Sequence, residues 1–340
     1  MKTALFDFSL PLELIAQQPL QDRSASRLMV FDRTKNLLEH RQFSEISRYI
    51  SPGDLLVQNA SKVVPARLST VPKNGRNSYE IFFLRKVSEN SFEALVKPGR
   101  RFKIGAIHEI GDGIFVGVKT ILDGGTRVLS LRNPVDILTI LKTHGKTPLP
   151  PYITSCDCPP ERYQTIFARE EGSLAAPTAG LHFDSQLLAD LEKKGVVREE
   201  LLLHIGMGTF KPIESENIEN HPMHSERFFI SQSLAEKFLE AKERGKKIFA
   251  CGTTTVRSLE TALLSNGILK TGWQFTNSYI TPGYKFRAID HLITNFHLPR
   301  STLLVLVSAL CGLEKTLNLY SEAISQKYRF YSFGDAMLIL

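Results

Sequence analysis

The pattern of apolar and polar positions changes character twice along this chain of 340 residues. Residues 1–68 combine a helix-like start at 12–18 with strand-like runs at 27–31 and 54–58. After Pro160 strands and helices alternate, with strand patterns at 196–205, 248–251 and 292–296. Helical patterns follow from Asp184 or Ser185, from Ser233, from Val256 and after Pro299. This alternation predicts an α/β body.

The middle of the chain follows a different pattern. From residue 69 to 133, short β-rich runs at 79–84, 92–96, 114–118 and 127–131 are separated by glycine-containing turns. A helix is predicted at 134–143, and a proline-rich stretch at 147–151 returns the chain to its first pattern. The sequence therefore predicts an αβα layered main domain, made of residues 1–68 and 151–340, with an inserted small β-barrel domain at 69–150.

Composition places the chain among ordinary soluble proteins. Hydrophobic residues make up 42% and charged residues 23%. No signal peptide is recognised at the start, and no apolar run approaches the ~20 residues of a membrane span. Four cysteines are present, of which Cys251 and Cys311 lie in apolar stretches. Cys156 and Cys158 are interpreted as an incidental loop pair, with a metal site as the alternative. We expect a cytoplasmic monomer without a membrane partner.

Positive charge is concentrated in the predicted barrel. Between Lys62 and Lys103 the chain has ten basic and three acidic residues, a local excess of seven that equals the net charge of +7. A basic region beside a neutral body is typical of a surface that binds a polyanion such as nucleic acid. Solvated charges on an ordinary barrel are the alternative.

Four loops rich in small residues predict a ligand pocket. One spans residues 172–183, and three follow predicted strands at 203–209, 250–255 and 293–297. In open α/β sheets ligands bind at the carboxyl ends of strands, and free N–H groups at a helix start favour an anion. Tight crossings between packed elements are the alternative. No G-x-G-x-x-G or P-loop lysine motif is present, which disfavours a dinucleotide or a nucleoside triphosphate.

Histidines cluster in the second half of the chain. His221, His224 and Glu226 invite a metal site, but Pro222 prevents a helical H-x-x-H, so hydrogen bonding or proton transfer is favoured. For any one histidine, an ordinary structural role is the alternative. Arg257 is interpreted as a clamp for a carboxylate or, alternatively, as a surface residue paired with Glu260.

Ten stretches in order resemble one family closely, the S-adenosylmethionine:tRNA ribosyltransferase-isomerases of queuosine biosynthesis. They cover nearly the whole chain: FDFSLPLELIAQQP with SRLMVFDR, NASKVVPARL, VKPGRRF, GKTPLPPYI, GSLAAPTAGLHF, LHIGMGTFKPI, HPMHSERF, CGTTTVRSLE, TPGYKFRAIDHLITNFHLPRSTL and FGDAML. One departure stands out: the family usually carries Asp after the Asn of the second stretch, and here Asn59 is followed by Ala60. A minor structural role for that position is expected.

The resemblance implies a reaction and its partners. The family transfers and isomerises the ribosyl group of S-adenosylmethionine onto 7-aminomethyl-7-deazaguanine at the tRNA wobble position. The products are epoxyqueuosine-tRNA, adenine and methionine. S-adenosylmethionine is then a co-substrate, and neither a prosthetic group nor a metal is implied. The implied fold is an α/β body with a small β-barrel.

That chemistry suggests roles for the residues already singled out. Because the nucleophile is the amine of the substrate, the protein must supply proton transfer and exclude water rather than provide a Ser or Cys nucleophile. The candidates for proton transfer are His182, His204, Glu226 and His297. The candidates for holding S-adenosylmethionine are Thr178, Gly180, Gly206, Gly208, Thr209, Gly252, Thr253, Thr254, Arg257 and Asn295. The candidates for tRNA phosphates are Arg67, Lys97, Arg100, Arg101 and Lys103.

Two other readings stay open on the residues alone. One is a tRNA-binding protein without catalytic activity, in which the barrel binds and the pocket is vestigial. The other is a metal-dependent hydrolase built on His221, His224 and Glu226.

Overall fold

The fold is described from a computed structural model covering residues 1–72, 77–132, 135–206, 208 and 212–340. The chain divides into two compact units. The first, called the main unit, comprises Met1–Lys62, Pro150–Glu170 and Ala176–Leu340. The second, called the barrel unit, comprises Val63–Leu149 and Glu171–Ala175. Two short strands, β4 (Ser61–Val63) and β11 (Glu170–Ser173), lie where the chain passes from one unit to the other.

In the described part of the main unit, nine strands form one mixed sheet. The strands are β1 (Arg27–Asp32), β2 (Leu37–Gln42), β3 (Leu55–Asn59), β12 (Val197–Leu203), β13 (Glu226–Ile230), β14 (Ile248–Cys251), β15 (Gly272–Thr276), β16 (His291–Asn295) and β17 (Ala336–Ile339). Their order is β15-β13-β12-β3-β14-β16-β17-β1-β2. The centre is parallel, since β3 pairs in parallel with both β12 and β14, and β14 with β16. The three central strands β3, β14 and β16 are buried almost throughout, as parallel strands covered on both faces usually are.

The described part of the main unit contains five α-helices, which begin at polar caps or at glycine. They are α2 (Ser185–Lys193), α3 (Gln232–Glu243), α4 (Thr253–Ala262), α5 (Thr302–Cys311) and α6 (Leu313–Ser325). The side chains of Asp184, Ser231 and Ser301 accept a backbone N–H at the starts of α2, α3 and α5. Gly252 and Gly312 precede α4 and α6, and neither end has a side-chain cap.

Alternate residues of β1 pack into two different cores. Leu28 and Val30 belong to a cluster with Leu187 and Leu191 of α2. Met29 and Phe31 belong to a cluster with α5 and α6 residues, including Leu304 and Tyr320. Successive side chains of a strand point to opposite faces, so the sheet is covered by helical elements on both sides of β1.

The barrel unit contains a nearly closed antiparallel sheet. Its six strands are β5 (Arg67–Ser69), β6 (Glu80–Ser88), β7 (Ser91–Lys97), β10 (Arg127–Leu131), β9 (Ile114–Ile121) and β8 (Ile107–Gly111), in that spatial order. The N–H of Val71, just after β5, donates to the carbonyl of Glu109 in β8 at 2.7 Å, which links the two edge strands. Helix α1 (Ile137–His144) contributes Ile137, Ile140 and Leu141 to the core of this unit.

Several local predictions differ from the structure. Residues 12–18 form only a 3-10 turn at Leu12–Leu14, because the chain then becomes extended and pairs with Phe330, whose N–H donates to the carbonyl of Leu14 at 2.8 Å. Helix α3 is capped by Ser231, whereas the hydroxyl of Ser233 donates to Glu199 at 2.6 Å. The start of the helix predicted at 134–143 lies outside the described residues. Cys156 and Cys158 are joined by a disulfide, with Cα atoms 5.4 Å apart, so their interpretation as an incidental loop pair is wrong.

No single helix among the described residues is long and apolar enough to cross a membrane. Helices α5 and α6 pass that test by length and composition only when taken together, and they meet at a bend of 112°.

Candidate active site

One edge of the main sheet gathers the polar loops. Because β12, β3, β14 and β16 run parallel, their carboxyl ends lie at the same edge. Strand β17 is antiparallel to β16 and parallel to β1, so both begin at this edge. Loops from distant parts of the sequence therefore meet there, where ligands bind in open α/β sheets.

A pocket at this edge, here called the α4 pocket, is lined by both polar and apolar residues. The polar members are Thr178, Gly252, Thr253, Thr254, Thr294, Asn295 and His297. The apolar members are Ala176, Pro177, Ala179, Ile205 and Leu303. The pocket thus has apolar walls with a few polar groups directed into it, as small-molecule sites usually have.

The start of α4 depends on Gly252. This residue has φ +90° and ψ 152°, a conformation that L side chains rarely adopt, and its N–H donates to the carbonyl of Ile293 at 2.8 Å. The chain can therefore leave β14 and begin α4 at once. The first N–H groups of an α-helix have no partner within the helix, and no side chain caps this end. Thr253 and Thr254 thus present a partial positive charge at the pocket wall.

Asn295 and His182 form a buried hydrogen-bond chain behind the pocket. Asn295 is 2% exposed and its Nδ2 lies 3.1 Å from both His182 Nε2 and the carbonyl oxygen of Tyr331. The Nδ1 atom of His182 lies 2.7 Å from the hydroxyl of Ser26. Burial, together with the charges of Arg329 and Arg23, lowers the pKa of His182 to about 3, so the ring is neutral at physiological pH.

His297 lines the α4 pocket with one ring nitrogen hydrogen-bonded. Its Nε2 lies 2.8 Å from Thr294 Oγ1, and its backbone N–H donates to the hydroxyl of Tyr320 at 2.9 Å. Burial lowers the pKa of His297 to about 3. Within the described residues, the other ring nitrogen has no hydrogen bond, so a neutral imidazole with one uncommitted nitrogen faces a ligand space.

A second cavity, here called the Arg257 pocket, shares Leu303 with the α4 pocket. It contains a buried ion pair between Arg257 and Glu226, each 5% exposed. Arg257 also donates through Nε to the carbonyl of Ser278 at 3.0 Å, and Glu226 accepts the N–H of Gly206 at 2.9 Å. The alternative of a surface arginine paired with Glu260 is wrong, since the carboxylate of Glu260 accepts the N–H groups of Arg287 and Ala288.

Two polar atoms at the Arg257 pocket have no partner. Arg257 Nη2 and the hydroxyl of Tyr279 are buried, and neither makes a hydrogen bond with the described chain. Buried polar groups in native proteins nearly always have partners, and an orphaned donor costs roughly 1–3 kcal/mol. These two atoms therefore make the Arg257 pocket a candidate ligand site.

Other residues singled out from the sequence lie elsewhere. His204 is half-buried and stacks on Trp273, with ring centroids 5.6 Å apart, and it lines neither pocket. Gly180 packs tightly, since an added Cβ would lie 2.7 Å from Phe167 and 2.8 Å from Thr165. Gly208 lines the Arg257 pocket and faces His224, whose ring an added Cβ would meet at 2.0 Å. Thr209 lies outside the described residues.

The cations expected to bind tRNA differ in whether an acid neutralises them. Arg67 lies 3.4 Å from Glu80. Lys97, Arg100, Arg101 and Lys103 are exposed and have no carboxylate partner in the described part of the chain. Lys97, Arg100 and Arg101 line one groove together with Tyr79, and the Arg101 guanidinium lies 5.8 Å from the centre of the Tyr79 ring. Exposed cations and a half-buried aromatic ring thus occur side by side.

Neither the proposed metal ligands nor Ala60 shows an arrangement that assigns it a chemical role. His221, His224 and Glu226 line the Arg257 pocket, but no group of three His, Cys, Asp or Glu side chains among the described residues is arranged to hold a metal ion. Ala60 is fully buried, and its N–H donates to the carbonyl of Leu201 at 2.9 Å. It lines neither pocket.

Sequence reasoning missed three members of the site: Ser26, Thr294 and Tyr331. Ser26 lies 156 positions from His182, and Tyr331 contributes only its backbone carbonyl, so no local pattern could reveal either contact. Thr294 lies within a stretch already identified, directly before Asn295, and a hydroxyl three residues before His297 was the available signal.

Comparisons with known proteins agree on one family. A family described as "Queuosine biosynthesis protein" matches residues 3–339. S-adenosylmethionine:tRNA ribosyltransferase-isomerase from Clostridioides difficile (strain 630) is 46% identical over 340 residues, covering 100% of both chains. The protein of the same name from Halothermothrix orenii is 48% identical over 343 residues, again covering 100% of both. The crystal structure of S-adenosylmethionine tRNA ribosyltransferase from Thermotoga maritima matches 99% of this chain and 100% of its own, at 37% identity and a TM-score of 0.56.

The two buried histidines predict a loss of stability in mild acid. Both have a folded-state pKa of about 3 against an ordinary value of 6.5, so below pH 6.5 the unfolded chain binds more protons and the free energy of unfolding falls. The slope approaches about 1.4 kcal/mol per pH unit for each histidine. Urea unfolding between pH 7.5 and 5 measures it. His182→Gln or His297→Gln should each reduce the slope. A pH-independent free energy over this range would contradict the prediction.

Proposed function

The chain belongs to the queuosine biosynthesis protein family, and we propose that its two adjoining pockets bind the S-adenosylmethionine on which the family acts. It is an enzyme of the S-adenosylmethionine:tRNA ribosyltransferase-isomerase type. It transfers and isomerises the ribosyl group of S-adenosylmethionine onto 7-aminomethyl-7-deazaguanine at the wobble position of tRNA. Epoxyqueuosine-tRNA, adenine and methionine are the products.

The observation that carries the assignment of the site is the pair of cavities that share Leu303 and contain buried polar atoms without partners in the described chain. The α4 pocket has apolar walls and the start of a helix, and the Arg257 pocket has a buried guanidinium with a free Nη2. S-adenosylmethionine has a matching division, an adenosyl group at one end and an amino-acid carboxylate at the other. The adenosyl group occupies the α4 pocket, and the carboxylate accepts from Arg257 Nη2.

The adenosyl group is then contacted by Thr178, Gly252, Thr253, Thr254 and Asn295. The methionine end is contacted by Gly208 and Arg257. Gly180 and Gly206 support these loops, since Gly180 packs against Phe167 and the N–H of Gly206 is bonded to Glu226. Thr209 is retained from the sequence motif alone.

Of the four candidates for proton transfer, His297 suits the role best. Removal of a proton beside the sulfonium needs an unprotonated base within reach of the substrate. His297 lines the α4 pocket, and one of its ring nitrogens makes no hydrogen bond with the described residues. Glu226 is held by Arg257 and Gly206, and it acts as the partner that keeps the guanidinium in place. His204 stacks on Trp273 outside both pockets.

The unpaired cations of the barrel unit hold the tRNA backbone. Lys97, Arg100, Arg101 and Lys103 contact phosphates and position the RNA, while Arg67, already close to Glu80, contributes less. Tyr79, in the same groove, offers a ring on which an unstacked base can lie.

The reaction itself predicts a product pattern. Incubation of the protein with S-adenosylmethionine and tRNA bearing the aminomethyl-deazaguanine should release one adenine and one methionine for each modified tRNA. Chromatography measures the adenine and methionine released, and nucleoside analysis measures the modified tRNA. Adenosylhomocysteine would instead indicate methyl transfer, and bound tRNA without any product would indicate a binding protein.

The role of His297 predicts a contrast between two histidine variants. His297→Gln should lower kcat by about 10²–10⁴, the usual contribution of a general base. His204→Gln, outside both pockets, is the matched control and should leave kcat close to that of the wild-type protein. Single-turnover release of adenine measures both, with thermal unfolding as a check on the fold. Equal losses in the two variants would remove His297 from this role.

The unpaired cations predict a change in the salt dependence of tRNA binding. Each phosphate contact contributes about 0.7–0.9 to the slope of log K against log salt. Arg100→Glu with Arg101→Glu should weaken binding and reduce that slope by about 1.5. Lys193→Glu with Lys237→Glu, on exposed faces of α2 and α3, changes the net charge equally and serves as the control. An unchanged slope in the arginine variant would reject this surface.

A further inference from the structure

The hydrogen bonds around Asn295 fix the direction of its amide group. The carbonyl oxygen of Tyr331 can only accept, so the Asn295 atom 3.1 Å from it is the nitrogen. The same nitrogen lies 3.1 Å from His182 Nε2. Both N–H groups of Asn295 are thereby used, one for the Tyr331 carbonyl and one for the imidazole.

The same bonds fix the tautomer of His182. Because Nε2 accepts from Asn295, the proton of the neutral ring is on Nδ1, which donates to the hydroxyl of Ser26 at 2.7 Å. The Ser26 hydroxyl donates in turn to the carbonyl of Arg23 at 3.4 Å. The ring also stacks on Phe43, with centroids 5.0 Å apart. No nitrogen of His182 is left to exchange a proton with a substrate.

One polar atom of the Asn295–His182–Ser26 hydrogen-bond chain has no partner among the described residues. Asn295 Oδ1 is buried and makes no hydrogen bond with the described chain, and the side chain lines the α4 pocket. With both N–H groups used, the side chain offers the pocket an acceptor and no donor. The pocket walls beside it include Ala176, Pro177, Ile205 and Leu303, which suit a flat heteroaromatic ring better than ribose hydroxyls.

We propose that Asn295 Oδ1 accepts a hydrogen bond from the exocyclic amino group of the adenine ring, and that His182 is a positioning residue that holds Asn295 in this orientation. The inference rests on the proposed function, since it specifies which atoms of S-adenosylmethionine the α4 pocket recognises. An amino group satisfies the orphaned oxygen. A carbonyl at the same ring position places two acceptors against each other, and the buried oxygen stays unpaired.

The first experiment compares two ribosyl donors with the wild-type protein. S-adenosylmethionine carries the amino group, and its deaminated analogue S-inosylmethionine carries a carbonyl in its place. We expect kcat/KM to be at least about 100-fold lower for the analogue, because sites built around a hydrogen bond reject ligands that leave a buried group unpaired. Free purine base released in single-turnover reactions measures both. A ratio near one would overturn the assignment of Asn295.

The second experiment separates positioning from proton transfer at His182. In His182→Gln the new amide can accept from Asn295 and donate to Ser26, which reproduces both roles of the imidazole. We expect this variant to keep the preference for the amino-bearing donor and the shape of the wild-type pH profile of kcat/KM. In His182→Leu the acceptor is lost, and we expect a raised KM for S-adenosylmethionine and a preference reduced by at least about tenfold.

The outcomes are distinguishable. If His182→Gln is folded, by its thermal midpoint, but as inactive as a variant without an acceptor, the imidazole itself takes part in the chemistry and the positioning role is overturned. If His182→Leu does not fold, Ser26→Ala tests the same hydrogen-bond chain at its opposite end. In that variant the buried Nδ1–H of His182 loses its acceptor. A retained preference in Ser26→Ala would overturn the role, and a reduced one would support it. Absence of adenine release from the wild-type protein with S-adenosylmethionine would instead mean that the proposed function fails.

Discussion

Parallel pairing of β12, β3, β14 and β16 is the constraint on which the rest of the site depends. A parallel pair needs a crossover, and each crossover returns the chain to the same edge of the sheet. The loops after residues 203, 251 and 295 therefore meet, although up to 92 positions separate them along the chain. Strands β1 and β17 begin at that edge too, which brings Ser26 behind the loop that carries His182.

Burial decides what the polar groups at this edge can do. Asn295, His182, Glu226 and Arg257 are all at least nine-tenths buried, and such groups are tolerated only with partners. Most of their polar atoms are paired with one another or with backbone. The exceptions, Asn295 Oδ1 and Arg257 Nη2, lie at the two pockets. The same burial keeps His182 and His297 neutral, so stability in mild acid and the chemistry of the site have one physical cause.

The basic residues of the barrel unit differ in whether a carboxylate neutralises them. Many of its basic residues are neutralised in place, as Arg85 is by Glu93 and Lys86 by Asp136. The exposed cations from Lys97 to Lys103 are not, and Tyr79 lies beside them. Exposed ion pairs contribute little to stability, so leaving these cations unpaired has a small cost for the fold and leaves them available to a polyanion.

The sequence by itself determined the alternation of strands and helices in the main unit, the start of α2 at Asp184 or Ser185, four of the six strands described in the barrel unit and the family, because these depend on short-range patterns and on motifs. It predicted Asn295, His182 and Arg257 as candidate site residues but not what each one touches. Only the tertiary structure decided that Arg257 pairs with Glu226, that His204 lies on Trp273, and that His182 is occupied on both nitrogens. The physical reason is that hydrogen-bond partners and burial arise from strand order, which joins residues as far apart as Ser26 and His182, 156 positions, and leaves no trace in local spacing.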